Sequence, residues 1–231
     1  MRFMNSLDHF LDWQPIFLSL QVAACALVLS LVTGVPLAHV FARRRVRGQV
    51  FWEALILLPL VLPPVVTGYA LLVALGRNGV LGAWLRQQNI QILFTPTAAI
   101  LASFVVALPL IFTAAKAAFE NLDAHCKEAA RCLGASTLRV FWTIEIPLAW
   151  RGLVAGGVLA FARALGEFGA TIMVAGNIAG QTTTAPVAIY MAVEGGEFSI
   201  ARSYVLILAT MNFAFLIFVS LWTRKGQKVF R

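Results

Sequence analysis

Five long apolar runs dominate this 231-residue sequence, and they cover about residues 16–42, 51–76, 94–115, 152–175 and 203–223. A helix of ~20 mostly apolar residues crosses a hydrocarbon core of ~30 Å, and it pairs its own backbone amides where lipid offers no partner. With 60% hydrophobic residues, 12% charged residues and a mean hydropathy of +0.84, the chain departs far from the composition of a soluble domain. We therefore predict an all-α integral membrane protein with about five transmembrane helices, in which residues 1–231 form one membrane domain.

The basic residues indicate how the spans are oriented. Residues 1–14 are not typical of a cleaved signal peptide, because Asp8 and Asp12 interrupt them and the apolar run that follows is too long. Five spans put the termini on opposite sides, and thirteen of the 18 Lys and Arg residues fall on one side. These thirteen are Arg43, Arg44, Arg45, Arg47, Lys116, Lys127, Arg131, Arg139, Arg151, Arg224, Lys225, Lys228 and Arg231. The positive-inside rule predicts a cytoplasmic C-terminus and an external N-terminus.

Several classes of site are disfavoured by the sequence. It has no phosphate loop of the form G-x-x-x-x-G-K-[ST], no H-E-x-x-H and no G-x-S-x-G, so we predict no catalytic residue. The group His125, Cys126 and Cys132 lacks a fourth ligand and a zinc spacing, so we predict no metal site. The basic charge lies at the ends of the spans, which fits a bilayer better than a nucleic acid.

The second apolar run contains three prolines, Pro59, Pro63 and Pro64, followed by Thr67 and Gly68. Proline removes helix hydrogen bonds, so this run is predicted to bend or break. Broken helices commonly line a cavity in membrane proteins, which favours a gate or path wall here. A static kink packed against neighbouring helices is the alternative interpretation.

The fourth run carries two charges, Arg163 and Glu167, four residues apart on one predicted helix face. A lone charge at this depth costs several kcal/mol or more, so the two are expected to neutralise each other. We favour a structural brace over attraction of an anion by Arg163.

Residues 176–202 are less apolar, and the segment 185–193 is too short to span, which fits a re-entrant or interfacial helix.

Residues 120–147, here named the knuckle, form a polar island between the third and fourth runs. The pattern predicts a helix over residues 121–133, a turn at Gly134, and a second short helix from Ser136 or Thr137 to about Ile144. Leu133, Val140 and Phe141 add apolar surface to the knuckle. Two interpretations stay open: a docking surface for a partner protein, or an amphipathic connector that lies on the membrane.

The knuckle also carries a motif, E-A-A-x(3)-G-x(9)-I-x-L-P, with Ile146 at the usual leucine position. It consists here of Glu128, Ala129, Ala130, Gly134, Ile144 and Pro147. In this motif the chain resembles the permease subunits of bacterial ABC importers. The resemblance implies a type I ABC importer permease fold and a coupling helix that docks on a cytoplasmic ABC ATPase. That separate chain would hold ATP and magnesium, and this chain would bind no cofactor.

Two further stretches, residues 58–69 and 162–171, resemble the permeases of molybdate importers, in a family that also includes tungstate and sulfate permeases. The resemblance implies a homodimer in the bacterial inner membrane and a periplasmic or extracellular protein that delivers the oxyanion. Sulfate, thiosulfate or tungstate is the alternative cargo. Our candidates for the path or gate are Pro63, Pro64, Thr67, Gly68 and Thr171. An ion-gradient transporter is disfavoured, because the spans offer few carboxylates for a proton or sodium relay.

Overall fold

The computed structural model describes residues 11–43 and 47–225, and all regular secondary structure within these ranges is helical. The helices are, in chain order, α1 (Gln14–Arg43), α2 (Gln49–Val61), α3 (Pro64–Leu75), α4 (Val80–Gln87), α5 (Pro96–Glu120), α6 (Ala124–Cys132), α7 (Thr137–Val140), α8 (Ile146–Leu165), α9 (Gly169–Ala175), α10 (Ala185–Glu194) and α11 (Phe198–Lys225). A π-helical turn, Phe141–Glu145, joins α7 to α8. The predicted all-α fold is confirmed.

Among residues 11–43 and 47–225, four helical segments are long and apolar enough to cross a membrane. They are α1, α5, the continuous helix Thr137–Leu165, and residues Phe198–Leu221 of α11. The bent pair of α2 and α3 supplies a fifth span if it is counted as one. Among the basic residues used for the charge rule, those at positions 44, 45, 228 and 231 lie outside the described residues.

The second span breaks where the prolines predicted it. Helix α2 ends at Val61, Leu62 and Pro63 are extended, and Pro64 opens α3. Proline has no N–H to donate and pushes the preceding residue out of the helical region, so consecutive prolines end the helix. The two halves meet at an angle of 114°. Pro59 lies inside α2 without ending it.

The fourth span differs from the prediction at both ends. It was predicted as one run over 152–175, but the helix ends at Leu165 and resumes only at Gly169. The predicted short helix that stops near Ile144 is also wrong, because α7, the π turn and α8 form one continuous helix from Thr137. Pro147 does not interrupt it. The wider π turn just before Pro147 accommodates a residue that cannot donate a helical hydrogen bond.

The core of the fold is a contact among α1, α5 and α8, built largely from small side chains. A Cβ atom added to Gly156 of α8 would lie 2.5 Å from Ala114 Cβ of α5, and one added to Gly152 would lie 2.6 Å from Ala118 Cβ. Helices approach this closely only where one of them lacks a side chain.

The short segment predicted over 185–193 is α10, which packs against α11 and α1.

A buried carboxylate joins the π turn to α1. Glu145 is 1% exposed, and its Oε2 lies 2.6 Å from Nε2 of His39, while Arg43 donates to its Oε1. The rings of Phe119 and Phe141 pack edge-on against His39, at centroid distances of 5.3 and 4.6 Å. A buried charge is tolerated where partners of opposite charge and hydrogen bonds compensate it. The knuckle is therefore anchored to the end of the first span.

The close contact of α8 with α5 predicts opposite effects for two neighbouring glycines. Gly156→Ala forces a methyl group into the Ala114 side chain, and overpacking of this kind costs about 1–3 kcal/mol. Gly157→Ala is the matched control, because its added Cβ meets only Leu27 Cδ1 at 3.8 Å, and alanine favours helix over glycine by about 1 kcal/mol. We expect thermal unfolding in detergent to give a lower Tm for the first variant and an equal or higher Tm for the second. Equal Tm values for the two variants would contradict this packing.

Removal of the Glu145 carboxylate is expected to destabilise the protein. Glu145→Ala leaves Arg43 and His39 without this partner, and breaking a buried ion pair costs about 3–5 kcal/mol. The lower end of this range applies here, because the side chains of Arg43 and His39 are 17% and 16% exposed. Glu120→Ala is the control, since its half-exposed carboxylate lies 3.7 Å from Lys116 and should contribute under about 1 kcal/mol. Similar Tm losses for both variants would refute the anchoring role.

Candidate functional site

The knuckle begins with a capped helix and a left-handed turn. Asp123 caps α6 by accepting a hydrogen bond from the backbone N of His125 at 2.9 Å. The helix ends at Cys132, and Gly134 follows with φ of 81°, where its N–H donates to the Arg131 carbonyl at 2.9 Å. Side chains other than glycine are strained in this conformation. The helix is shorter than the predicted 121–133, but the predicted turn lies at Gly134.

The residues of the motif lie mostly at the surface of the knuckle. Glu128 and Ala129 are exposed on α6, and Ala130 is half-buried. The Glu128 side chain is 70% exposed and lies 3.9 Å from Nδ1 of His125. Ile144 is half-buried in the π turn, and Pro147 is exposed at the second position of α8. The motif thus combines an exposed helix face with the start of the fourth span.

Large apolar side chains surround the motif. Leu133, Leu138 and Trp142 are exposed, by 89%, 69% and 61%. Three large apolar side chains at the surface of a polar segment mark a place where lipid or protein covers them. This surface fits both interpretations of the knuckle, a docking surface for a partner protein and an amphipathic connector that lies on the membrane.

The predicted path residues meet where α3 packs against α9. A Cβ atom on Gly68 would lie 2.7 Å from Ala170 Cα, and one on Gly169 would lie 2.9 Å from Pro64 Cβ. The contact therefore requires glycine on both helices. It packs the start of α3 against α9, the helix that follows the break in the fourth span. Of the predicted residues, Pro63 precedes α3 and is exposed.

Two threonine hydroxyls are buried on these two helices. Thr67 on α3 is 5% exposed and Thr171 on α9 is 0% exposed, and neither Oγ1 has a hydrogen-bond partner among the described residues. Ser103 on α5 has the same property. A buried hydroxyl without a partner costs about 1–3 kcal/mol, so these groups are free to bind water or a polar ligand.

The intramembrane ion pair spans the break in the fourth span. Nη1 of Arg163, on α8, donates to Oε2 of Glu167 at 2.6 Å. Oε1 of Glu167 accepts from the backbone N of Ala170 at 2.8 Å, which ties it to the first turn of α9. Glu167 lies just beyond the end of α8 rather than on its helix face. Its two bonds across the break support the brace interpretation.

Three features of these sites were not predicted from the sequence. Glu145 occupies the variable position between Ile144 and Ile146 of the motif, so no pattern singled it out. Ser103 lies within an apolar run and carries no signal of its own. Gly169 follows Arg163 and Glu167 in the chain. The small residues within 64–68 and within 169–171 are a signal that could have predicted the close contact between α3 and α9.

Comparison with known proteins identifies the family. Residues 16–225 match the family described as "Binding-protein-dependent transport system inner membrane component". The molybdenum transport system permease protein ModB of Escherichia coli K12 is 43% identical over 209 residues, which cover 89% of this chain and 91% of that protein. ModB of Haemophilus influenzae is 46% identical over 195 residues, covering 83% and 85%. The putative permease YvgM of Bacillus subtilis is 41% identical over 208 residues, covering 89% and 91%.

Solved structures share the fold. A chain of the inward-facing MetNI methionine ABC transporter superposes with a TM-score of 0.67 at 16% identity, covering 94% of this chain and 96% of that one. A chain of a bacterial ABC transporter for the acidic polysaccharide alginate gives a TM-score of 0.73 at 17% identity, covering 96% and 82%. The fold is thus that of type I ABC importer permeases, as the sequence predicted. With a family match that extends from the first span to the last, this chain belongs to the inner membrane components of binding-protein-dependent transport systems.

Proposed function

We propose that this chain is the permease subunit of an ABC importer for molybdate, in which it forms the translocation path and couples that path to a separate ATPase. The observation that carries the proposal is the 43% identity to a molybdenum permease over 89% of the chain. Tungstate, sulfate or thiosulfate is the alternative cargo. An ion-gradient mechanism is disfavoured, because Glu167 is bonded to Arg163 and Glu53 to Lys116.

The knuckle is the surface that we assign to the ATPase partner. Its exposed Leu133, Leu138 and Trp142 offer apolar area, and the exposed Glu128 and Ala129 offer a polar helix face beside it. Apolar anchors with a polar rim are typical of protein interfaces. In this proposal the partner holds ATP and magnesium, and the chain itself is non-catalytic and binds no cofactor.

The contact of α3 with α9 is the part of the fold that we assign to the path or gate. Pro63 and Pro64 set the break, and Gly68 allows the close contact. Thr67 and Thr171 contribute hydroxyls that have no hydrogen-bond partner in the described part of the chain. A doubly charged oxyanion needs donors that bind it only weakly, because deep binding would stop passage. Two neutral hydroxyls meet that requirement better than a buried cation.

The family and the exposed surface support the remaining proposed partners. A periplasmic or extracellular binding protein delivers the oxyanion, and a second copy of the chain completes the path. Helix α3 exposes Val65, Tyr69 and Val73 by 50%, 59% and 53%, which gives a second copy or lipid an apolar face to cover. The charge distribution supports an external N-terminus and a cytoplasmic C-terminus in the bacterial inner membrane.

Uptake into liposomes tests the proposed cargo. The chain is reconstituted with its cognate ATPase and binding protein, and uptake of labelled molybdate is measured with and without ATP and with excess sulfate. We expect ATP-dependent uptake that persists in sulfate. Uptake that sulfate abolishes would assign the chain to the sulfate alternative, and uptake without ATP would reject the importer mechanism.

Substitutions in the knuckle test the coupling role. Glu128→Lys reverses a charge on the assigned docking face. Gly134→Val strains the turn at φ of 81°, although its Cβ would meet no atom of the described residues within 4 Å. We expect each to reduce ATP-driven uptake and stimulation of the ATPase about tenfold, since loss of about 1.4 kcal/mol at an interface corresponds to that factor. Glu194→Lys is the control, an exposed glutamate at the end of α10. Normal activity of both knuckle variants, at normal membrane levels, would remove the knuckle from coupling.

A further inference from the structure

A single buried carboxylate connects the knuckle, the fourth span and the first span. Glu145 is the last residue of the π turn, and α8 begins at the next residue. Its side chain is 1% exposed and contacts His39 and Arg43, which lie in the last turns of α1. The proposed docking face comes before this contact in the chain, and the helix that leads to the proposed path comes after it.

The described backbone of the knuckle packs mainly within the knuckle and against α8. Helices α6 and α7 pack against each other and against the π turn, which also packs against α8. Contact with α1 is made by side chains: the Glu145 carboxylate bonds to His39 and Arg43, and the Phe141 ring lies edge-on to His39. The place of the knuckle relative to the first span therefore depends on a small number of groups.

The carboxylate is the stiffer of these two attachments. Aromatic pairs are stable over centroid distances of about 4.5–7 Å, so the Phe141 ring can shift against His39 at little cost. Hydrogen bonds between ionised groups are shorter and roughly twice as strong as neutral ones, and they weaken steeply when their geometry is lost. The Glu145 bonds therefore resist a displacement that the rings would permit.

Glu145 also compensates positive charge where the knuckle meets the first span. The charge of Arg131, on α6, acts on Arg43 at the end of α1. Like charges repel, and the repulsion is stronger near a protein surface than in bulk water. The carboxylate is bonded to Arg43, so it offsets this repulsion. With a neutral side chain at position 145, the two guanidinium groups would push α6 away from α1.

The attachment lies at the point where the helix Thr137–Leu165 is least regular. The π turn Phe141–Glu145 stands between the proposed docking face and the span. Turns of this kind interrupt the regular hydrogen bonds of an α-helix and are places where helices bend. A bond from the last residue of the turn to α1 restrains the helix where it would otherwise yield.

We propose that Glu145 is a positioning residue for coupling. By bonding to His39 and Arg43, it fixes the knuckle against the first span. Movement of the ATPase partner is then passed to the membrane helices instead of being absorbed in the π turn. The inference rests on the proposed function, to which it adds a residue from a variable position of the motif, and it is independent of which oxyanion is carried.

The ratio of transport to ATP hydrolysis tests this role. Glu145→Gln keeps the shape of the side chain and removes its charge. The unmodified chain and the variant are each reconstituted with the cognate ATPase and binding protein, and uptake of labelled molybdate and release of phosphate are measured in the same liposomes. Labelled sulfate replaces molybdate if the uptake test described above assigns the chain to sulfate.

The matched control is another ion pair on the same proposed side of the membrane. Glu53 on α2 bonds to Lys116 on α5 at 2.5 Å, and the two side chains are 23% and 19% exposed. Both residues lie outside the knuckle and outside the helix Thr137–Leu165. Glu53→Gln therefore removes a comparable charge without touching the proposed route of coupling.

We expect Glu145→Gln to lower the amount of oxyanion moved per ATP about fivefold, because its charge-assisted hydrogen bonds become neutral ones. Glu145→Asp keeps the charge and should restore most of the ratio. Glu53→Gln should leave the ratio unchanged even where it lowers Tm. A merely structural role of Glu145 would reduce the amount of assembled importer without changing the ratio.

Arg43→Gln tests the same bond from the first span. Its side chain is 17% exposed, so the variant also serves if Glu145→Gln does not assemble. We expect Arg43→Gln to lower the ratio as well. The double variant should lower it no further than the more affected single variant, because both changes remove one shared interaction.

Three outcomes would overturn the role of Glu145. One is an unchanged ratio in E145Q and R43Q, and a second is an equal fall in E53Q. The third is weaker co-purification of the ATPase with E145Q, which would assign Glu145 to the docking surface. Absence of ATP-dependent uptake by the unmodified chain would overturn the proposed function itself and this inference with it, so the two failures are distinguished.

Discussion

The close approach of helices at alanine and glycine is the interaction on which the rest of this structure depends. Lipid tails are as apolar as leucine, so burial of apolar surface contributes little to association between spans. The association depends instead on van der Waals contact between the helices. Gly152 and Gly156 allow α8 to lie against Ala118 and Ala114 of α5 at distances that any larger side chain would prevent. The central helices α1, α5 and α8 therefore form a rigid unit.

The features with a proposed function lie around this unit rather than inside it. The knuckle extends from the solvent end of α8, and the contact of α3 with α9 lies beyond the break at residues 166–168. The knuckle is bonded to the first span through Glu145, which contacts His39 and Arg43. Helix α9 is bonded across the break by Glu167, and its Ala170 and Val174 are buried in a cluster with Val106 of α5. The knuckle is thus attached to the central helices mainly by polar contacts, and α9 by apolar packing as well.

The sequence predicted those parts of the fold that depend on local chemistry. Apolar length predicted the number of spans, Pro63 and Pro64 predicted the break between α2 and α3, and Gly134 predicted the left-handed turn. The break after Leu165 was missed because no proline marks it, and a carboxylate that bonds across it becomes visible only in three dimensions. The partners of Glu145 lie more than 100 residues away in the chain, so its role could not be inferred from its neighbours. Tertiary contacts of this kind override local propensity.

The continuity of the helix from Thr137 to Leu165 has a mechanical consequence. Its 29 residues make a rod of roughly 44 Å at 1.5 Å per residue, with no flexible loop between its solvent end and its membrane end. If the rod pivots as one body near its solvent end, a tilt of about 10° carries the opposite end through about 8 Å. In the proposed function, the part of the knuckle from Thr137 onward and the fourth span would move as a single lever arm, whose fulcrum would lie where Glu145 meets the first span.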